Sequence, residues 1–291
     1  METVELESAP SLASLYARAM VAPIVPGGAA ELPDRRLALA GAEVSAGQVA
    51  AYSRVCGFGM RSVAPGTYPH VLAFALHMRL MTERSFPFSV LGLVHIANRI
   101  DVLAPIEIGT RLDLTVWTED LRPHRRGRQF ELVTEAQSDG AAMWRGRSTY
   151  LKQGEGSSDS SPPESDEEAP LEVSADWDVP GHIGRRYAAV SGDRNPIHLH
   201  PLSARLFGFP GAIAHGMWTK ARCLAAFEGR VPETFAIDAA FKSPLRIPGK
   251  ARLRSGRRDR GWAFRLESPD GERTHLIGSL SDDPRVPSDV D

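Results

Sequence analysis

Residues 187–217 read YAAVSGDRNPIHLHPLSARLFGFPGAIAHGM, and the reading of this stretch decides what the chain can be. Asp193, Asn195 and His198 bring an acid, an amide and an imidazole to one Asn-Pro turn. Asn before Pro is a helix-start signal: Asn caps, and Pro suits the first helical position because its missing N–H is not needed there. His198 falls two residues beyond Pro196, and Asp193 lies on the chain entering the cap. A carboxylate and an imidazole on so short a turn can reach one water molecule, as general acid–base catalysis requires. Downstream, an apolar helix is expected to begin after a run of small residues ending in His215-Gly216. A glycine at a helix N-terminus suits an oxyanion, because the first amides are unpaired and carry the positive end of the dipole. Standing alone, the turn could also be a plain N-cap with a solvated Asp and a surface His. The flanking Tyr187, Ser191-Gly192 and Ile213–Met217 tip the balance to function.

The rest of the chain narrows the class. Its 291 residues allow one large or two ordinary domains. Apolar content of 42% and charged content of 24% are ordinary for a globular protein. A net charge of −2 gives no global field favouring nucleic acid or membrane. No run approaches the roughly 18 apolar residues of a membrane span. The N-terminus, METVELESAP, carries acids where a signal peptide needs a positive start. Cys56 and Cys223 are too few for a disulfide framework or a Cys-rich zinc site, and both are expected to be buried. A cytoplasmic, reduced protein is expected.

Residues 153–170, QGEGSSDSSPPESDEEAP, are acidic, rich in Ser and Pro and nearly free of apolar side chains. Such a segment buries no core and reads as a linker. It separates residues 1–152 from 171–291, and the two parts repeat each other. Tyr52-Ser-Arg-Val-Cys-Gly57 parallels Tyr187-Ala-Ala-Val-Ser-Gly192. Each is followed by a stretch with helical spacing, from Tyr68 and from Ala212. Strand-like runs follow, with matching turns at Ala104-Pro105 to Ile108-Gly109 and Ser243-Pro244 to Pro248-Gly249, and at Ser138-Asp139-Gly140 and Pro269-Asp270-Gly271. One long helix, then several antiparallel strands, twice over, predicts an α+β architecture in which each sheet covers a helix. The repeat breaks where it matters. Phe58 stands where Asp193 does, with no Asn-Pro or following His nearby, so the first half is expected to be chemically silent and at most to shape a pocket.

The 187–217 string resembles the signature of MaoC-like, or type 2 (R)-specific, enoyl-CoA hydratases. The resemblance is specific over 185–220 and architectural elsewhere. It implies a double hotdog fold, with 1–152 a degenerate N-terminal hotdog and 171–291 the catalytic one, paired as a pseudo-dimer within one chain; exposed sheet edges leave a homodimer open. It implies addition of water to C3 of a trans-2-enoyl thioester, or the reverse dehydration of an (R)-3-hydroxyacyl thioester, in fatty acid metabolism. Asp193 and His198 would activate the water and deliver the proton to C2. Asn195 would orient the water, and the Gly216 N–H would hold the thioester oxygen. No metal or organic cofactor is implied.

Around this core, Tyr187 is expected to pack beneath the turn, Ser191 to bond its backbone, and His215 to organise the helix entrance, while His200 faces away. Some relatives place a small polar residue one to two turns into the long helix, where this chain has Leu224. The phosphates of a coenzyme A or acyl-carrier-protein substrate need basic groups at the pocket mouth. Arg185, Arg186, Arg194, Lys220, Lys242 and Arg246 are candidates, and Arg122–Arg128 form a second basic cluster. That cluster lacks interleaved aromatics and argues for no nucleic acid. Two rivals are a hotdog thioesterase, which would want an acid on the second long helix where the only one is Glu228 near its end, and a non-catalytic acyl-thioester-binding subunit, which would not need the Asp193, Asn195 and His198 set.

Overall fold

Alternating strand patterns and two buried helices organise the chain. The computed structural model describes residues 1–21, 31–154, 156 and 171–284. The first half begins with β1 (Glu2–Leu6), α1 (Leu12–Val21), β2 (Arg35–Glu43), α2 (Ala46–Cys56) and α3 (Tyr68–Met81). It continues through β3 (Leu93–Val102), β4 (Arg111–His124), β5 (Gly127–Ser138) and β6 (Ala141–Gln153). The second half runs β7 (Glu172–Val179), α4 (Ile183–Ser191), α5 (Pro196–Leu199), α6 (Pro201–Leu206) and α7 (Gly216–Ala225), then β8 (Phe235–Phe241), β9 (Gly249–Arg258), β10 (Gly261–Glu267) and β11 (Thr274–Ser281). The linker expected over 153–170 lies, beyond Gly154 and apart from Gly156, outside the described residues. No described helix is long and apolar enough to cross a membrane.

The strands form one sheet in the order β1-β2-β4-β5-β6-β3-β8-β11-β10-β9-β7. Read outward from the β3–β8 pair, the two sides match strand for strand, with β1 added in parallel at one edge. Each side curls around its own helix. α3 is buried over most of its surface, from Tyr68 to Met81, and α7 from Met217 to Ala225. This is the double hotdog that the family resemblance implies, paired within one chain.

The internal symmetry extends to single hydrogen bonds. Ala64 N–H donates to Ile106 C=O and Ile108 N–H to Ser62 C=O; Ala214 N–H donates to Leu245 C=O and Ile247 N–H to Ala212 C=O. Gly66 is therefore the counterpart of Gly216. α2 and α4 both end on a glycine in the left-handed region, Gly57 at φ 84° and Gly192 at φ 77°, a conformation that other residues adopt with strain. Phe58 and Asp193 follow these caps. Phe58 stacks on Tyr52 at 6.4 Å, and Tyr52 meets Tyr187 at 6.2 Å, where the halves touch. Cys56 and Cys223 are free and buried.

Two expectations need correction. In each half a strand, β2 or β7, precedes the helices α2 and α3 or α4 to α7 and pairs beside β4 or β9; the reading of a helix followed by strands missed both. The second long helix begins at Gly216 rather than Ala212. Residues 212–214 are extended, with Ile213 bridged to Arg246, so the apolar run that suggested helix is packed by backbone pairing.

Candidate active site

The Asn-Pro turn folds as its sequence requires. Asn195 caps α5, its side-chain oxygen accepting from Ile197 N–H at 3.4 Å, with Pro196 at the first helical position. His198 is buried, and its Nδ1 lies 2.8 Å from the Ile213 carbonyl. A carbonyl only accepts, so Nδ1 carries the proton and Nε2 keeps a free lone pair. Asp193 Oδ1 accepts from the Asn195 N–H at 3.1 Å and from the Tyr16 hydroxyl at 3.1 Å. The Tyr16 oxygen in turn accepts the Arg194 N–H at 2.7 Å. Ser191 Oγ donates to Tyr187 C=O at 2.8 Å and accepts from Asp193 N–H at 3.2 Å.

His215 caps α7 and stacks on His198 with ring centres 3.7 Å apart. Its Nε2 donates to the Asp193 backbone carbonyl at 3.0 Å and lies 3.9 Å from Oδ2. Gly216 opens α7, where amides have no partner within the helix. A Cβ there would come within 3.1 Å of the Phe241 ring, so this backbone is tightly walled on one side.

The charge states follow from burial and bonding. Burial raises the Asp193 pKa, but the His215 and His198 rings, the Asn195 N–H and the Tyr16 hydroxyl outweigh it and hold the carboxyl below its usual range. Burial pushes both imidazoles down, His215 to about 3. With the imidazoles neutral near pH 7, the two hydrogen-bond donors do most to hold the carboxylate there. A carboxylate thus faces a neutral imidazole.

Ligand atoms of Asp193, His198 and His215 lie within 4.8 Å of one another, as a divalent cation would need. The Asp193 carbonyl and the Ile213 carbonyl already occupy one nitrogen on each ring. That leaves a carboxylate oxygen, His198 Nε2 and His215 Nδ1, the last buried and without a hydrogen-bond partner among the described residues.

The acid, the two imidazoles and the start of α7 line one cavity of about 370 Å³ between the halves. The second half supplies Tyr187, Ser191, Asp193, Asn195, His198, His215, Gly216 and Thr219. The first supplies His70, Phe74, His95 and Tyr150. The corresponding place in the first half holds a cavity of about 100 Å³ lined by Phe58, Gly66, Leu224 and Phe235.

Comparison with known proteins agrees with this geometry. A model of the MaoC like domain matches residues 165–266. The 3-hydroxyacyl-thioester dehydratase X of Mycobacterium tuberculosis is 36% identical over 269 residues, which is 91% of this chain and 95% of that protein. The chain belongs to the MaoC-like dehydratase family. The crystal structure of HtdX from Mycobacterium tuberculosis superposes on this MaoC-like chain with a TM-score of 0.76 at 34% identity, covering 84% of this chain and 99% of that one. A conserved hypothetical protein of Mycobacterium tuberculosis described as a double hotdog fold matches with a TM-score of 0.55 at 12% identity, over 83% of this chain and 93% of its own, which supports the fold alone.

Within the MaoC-like site, the residues singled out in sequence separate clearly. Asp193, Asn195, His198, His215, Gly216, Tyr187 and Ser191 converge on the cavity, and exposed Lys242 stands at its rim. Arg185, Arg186, Arg194 and Arg246 are exposed and lie outside its lining. His200 is exposed and caps α6, as its distance from the turn implied.

Lys220 is a correction. It is 0% exposed and donates to the Asn98 carbonyl at 2.8 Å, to Asn98 Oδ1 and to the Ile237 carbonyl at 3.0 Å, tying α7 to the β3–β8 seam. It therefore cannot meet substrate at the mouth. Leu224 is also displaced from the site and faces the smaller cavity, while Thr219 is the small polar residue of α7 that lines the larger one. The sequence reading missed Tyr16, which reaches Asp193 across 177 residues, and the first-half wall of His70, His95 and Tyr150. Arg126, from the second basic cluster, comes to the same rim as Lys242.

Proposed function

We propose that this chain interconverts trans-2-enoyl and (R)-3-hydroxyacyl thioesters, as a hydro-lyase of fatty acid metabolism. The convergence of Asp193, His198 and the α7 N-terminus on one cavity carries the reading. In hydration, the water oxygen bonds C3 and its proton passes to the Asp193–His198 pair. The π electrons shift to the thioester oxygen, held by the Gly216 N–H at the positive end of α7. A proton returned from the pair to C2 collapses the enolate. The reverse sequence expels water from the 3-hydroxyacyl thioester. Asn195 orients the water. Tyr187, Ser191 and His215 shape and hold the turn against the substrate. Arg126 and Lys242 serve the phosphates of coenzyme A or of an acyl carrier protein. Residues 171–291 form the catalytic unit, 1–152 the silent one, and 153–170 the linker.

The chain is further read as cytoplasmic, which its free buried cysteines suit; fractionation tests this. A thioesterase reading is weaker. α7 carries no Asp or Glu, and Glu228, beyond its end, accepts the Gly59 N–H at 2.8 Å near the other cavity. The deciding assay is loss of enoyl-thioester absorbance on hydration of short and long trans-2-enoyl-CoA by the purified chain alone. Turnover is expected without a second polypeptide, and its absence with both coenzyme A and acyl-carrier-protein thioesters overturns the proposal.

Tyr16 acts as a positioning residue. Its hydroxyl lowers the Asp193 pKa, so Tyr16→Phe is expected to move the acid limb of the kcat/KM profile upward and to cost about tenfold, the worth of one hydrogen bond to a charged group. An unmoved limb would reduce Tyr16 to a packing role. Phe58→Ala removes a ring packed on Tyr52. It is expected to lower stability by about 2–3 kcal/mol, below the range of a fully buried Phe, with turnover per folded molecule retained. A loss as deep as that from removing Asp193, in folded protein, would contradict the silent half.

A further inference from the structure

The inner wall of the main cavity is not one that an aliphatic chain would select. α3 supplies His70, β3 supplies His95 and β6 supplies Tyr150, all lining the cavity that holds Asp193 and Gly216. The His95 ring stacks on Tyr150 with centres 4.6 Å apart and lies 6.2 Å from His70. Behind them His77 bonds Thr134 Oγ1 at 2.7 Å and keeps His70 company at 5.0 Å. Phe241, 5.1 Å from His95, connects this wall to Gly216.

His95 Nε2 is shut off from solvent with no hydrogen-bond partner among the described residues. A buried polar atom left unpaired costs about 1–3 kcal/mol, so one that persists calls for an explanation. Internal symmetry sharpens the point. Four residues past Gly216 stands Lys220, which spends its ammonium on three acceptors of the seam. Four residues past Gly66 stands His70, which instead turns to the cavity.

Burial pushes His70 to about 4 and His95 to about 3, with Lys220 lowering both further and Asp193 opposing. Both rings are therefore neutral near pH 7, and each offers one donor and one acceptor. Such a pair matches an uncharged oxygen rather than a carboxylate. Exposed Arg126, Gln153 and Lys242 mark the rim, while buried His70, Phe74 and Tyr187 mark the inner end. A bulky carrier held at the rim would lay the chain beyond C3 against the imidazoles.

We infer that the acyl group handled here carries a hydroxyl or keto oxygen beyond C3, which docks on His70 and His95. This rests on the dehydratase reading above. The test compares trans-2-octenoyl thioesters with their 5-, 6- and 7-hydroxy and keto analogues, as coenzyme A and acyl-carrier-protein thioesters. At least one oxygenated member is expected to exceed the hydrocarbon in kcat/KM by about tenfold, the worth of one net hydrogen bond. In His70→Phe/His95→Phe the ratio is expected to fall towards one. The wild-type comparison stands even if that variant does not fold. Turnover of the series with the hydrocarbon ahead of, or level with, every analogue overturns this inference alone. Turnover of no member overturns the dehydratase reading and the inference with it.

Discussion

Asp193→Asn is expected to lower turnover by about 10²–10⁴-fold, the usual contribution of a positioned acid–base group, while the protein remains folded. The replacement keeps an oxygen that can accept from Asn195 N–H and Tyr16, so the hydrogen bonds that shape the turn survive. What disappears is the negative charge beside His198, and with it a group able to take a proton from water. His198→Ala removes the other partner and is expected to fall in the same range. The readout is enoyl-thioester absorbance beside circular dichroism for folding. A wild-type rate in either variant would sink the proposed mechanism.

The second large effect concerns stability. Lys220→Met is expected to cost about 2–4 kcal/mol, since it strands buried acceptors worth about 1–3 kcal/mol each and regains only part of that by sparing a buried charge. For a protein of this size the loss corresponds to a drop of about 5–15 °C in Tm. The acceptors belong to Asn98 and Ile237 on the two central strands, so the damage falls on the seam between the halves. A Tm equal to or above the wild-type value would mean that desolvating the ammonium costs more than its three bonds return.

The fate of Lys220 shows where sequence reasoning stops. A lysine is almost always exposed, and nothing local to Lys220-Ala-Arg-Cys announces that three acceptors await it from elements 122 and 17 residues away. The Asn-Pro turn was legible because its determinants are local: cap, proline and glycine sit within a few residues of one another. The repeat was legible for the same reason, as its two copies place the same turns at the same spacing. Tyr16, His95, Tyr150 and Arg126 were not, because Tyr16 reaches Asp193, and the other three reach the cavity, only once the sheets have closed. The false helical start at Ala212 arose from an apolar run that fits a buried helix and a buried extended segment equally well.

The β3–β8 seam has a further consequence. In a dimer of separate hotdogs, that interface would be a bimolecular equilibrium, and the cavity it encloses would empty its first-half wall on dilution. Here both strands belong to one polypeptide, so the association is intramolecular and independent of protein concentration. Covalent linkage also releases the halves from identity. One copy can give up its acid and imidazole, as the change to Phe58 illustrates, and supply a wall of different chemistry without erasing the reacting groups in the other.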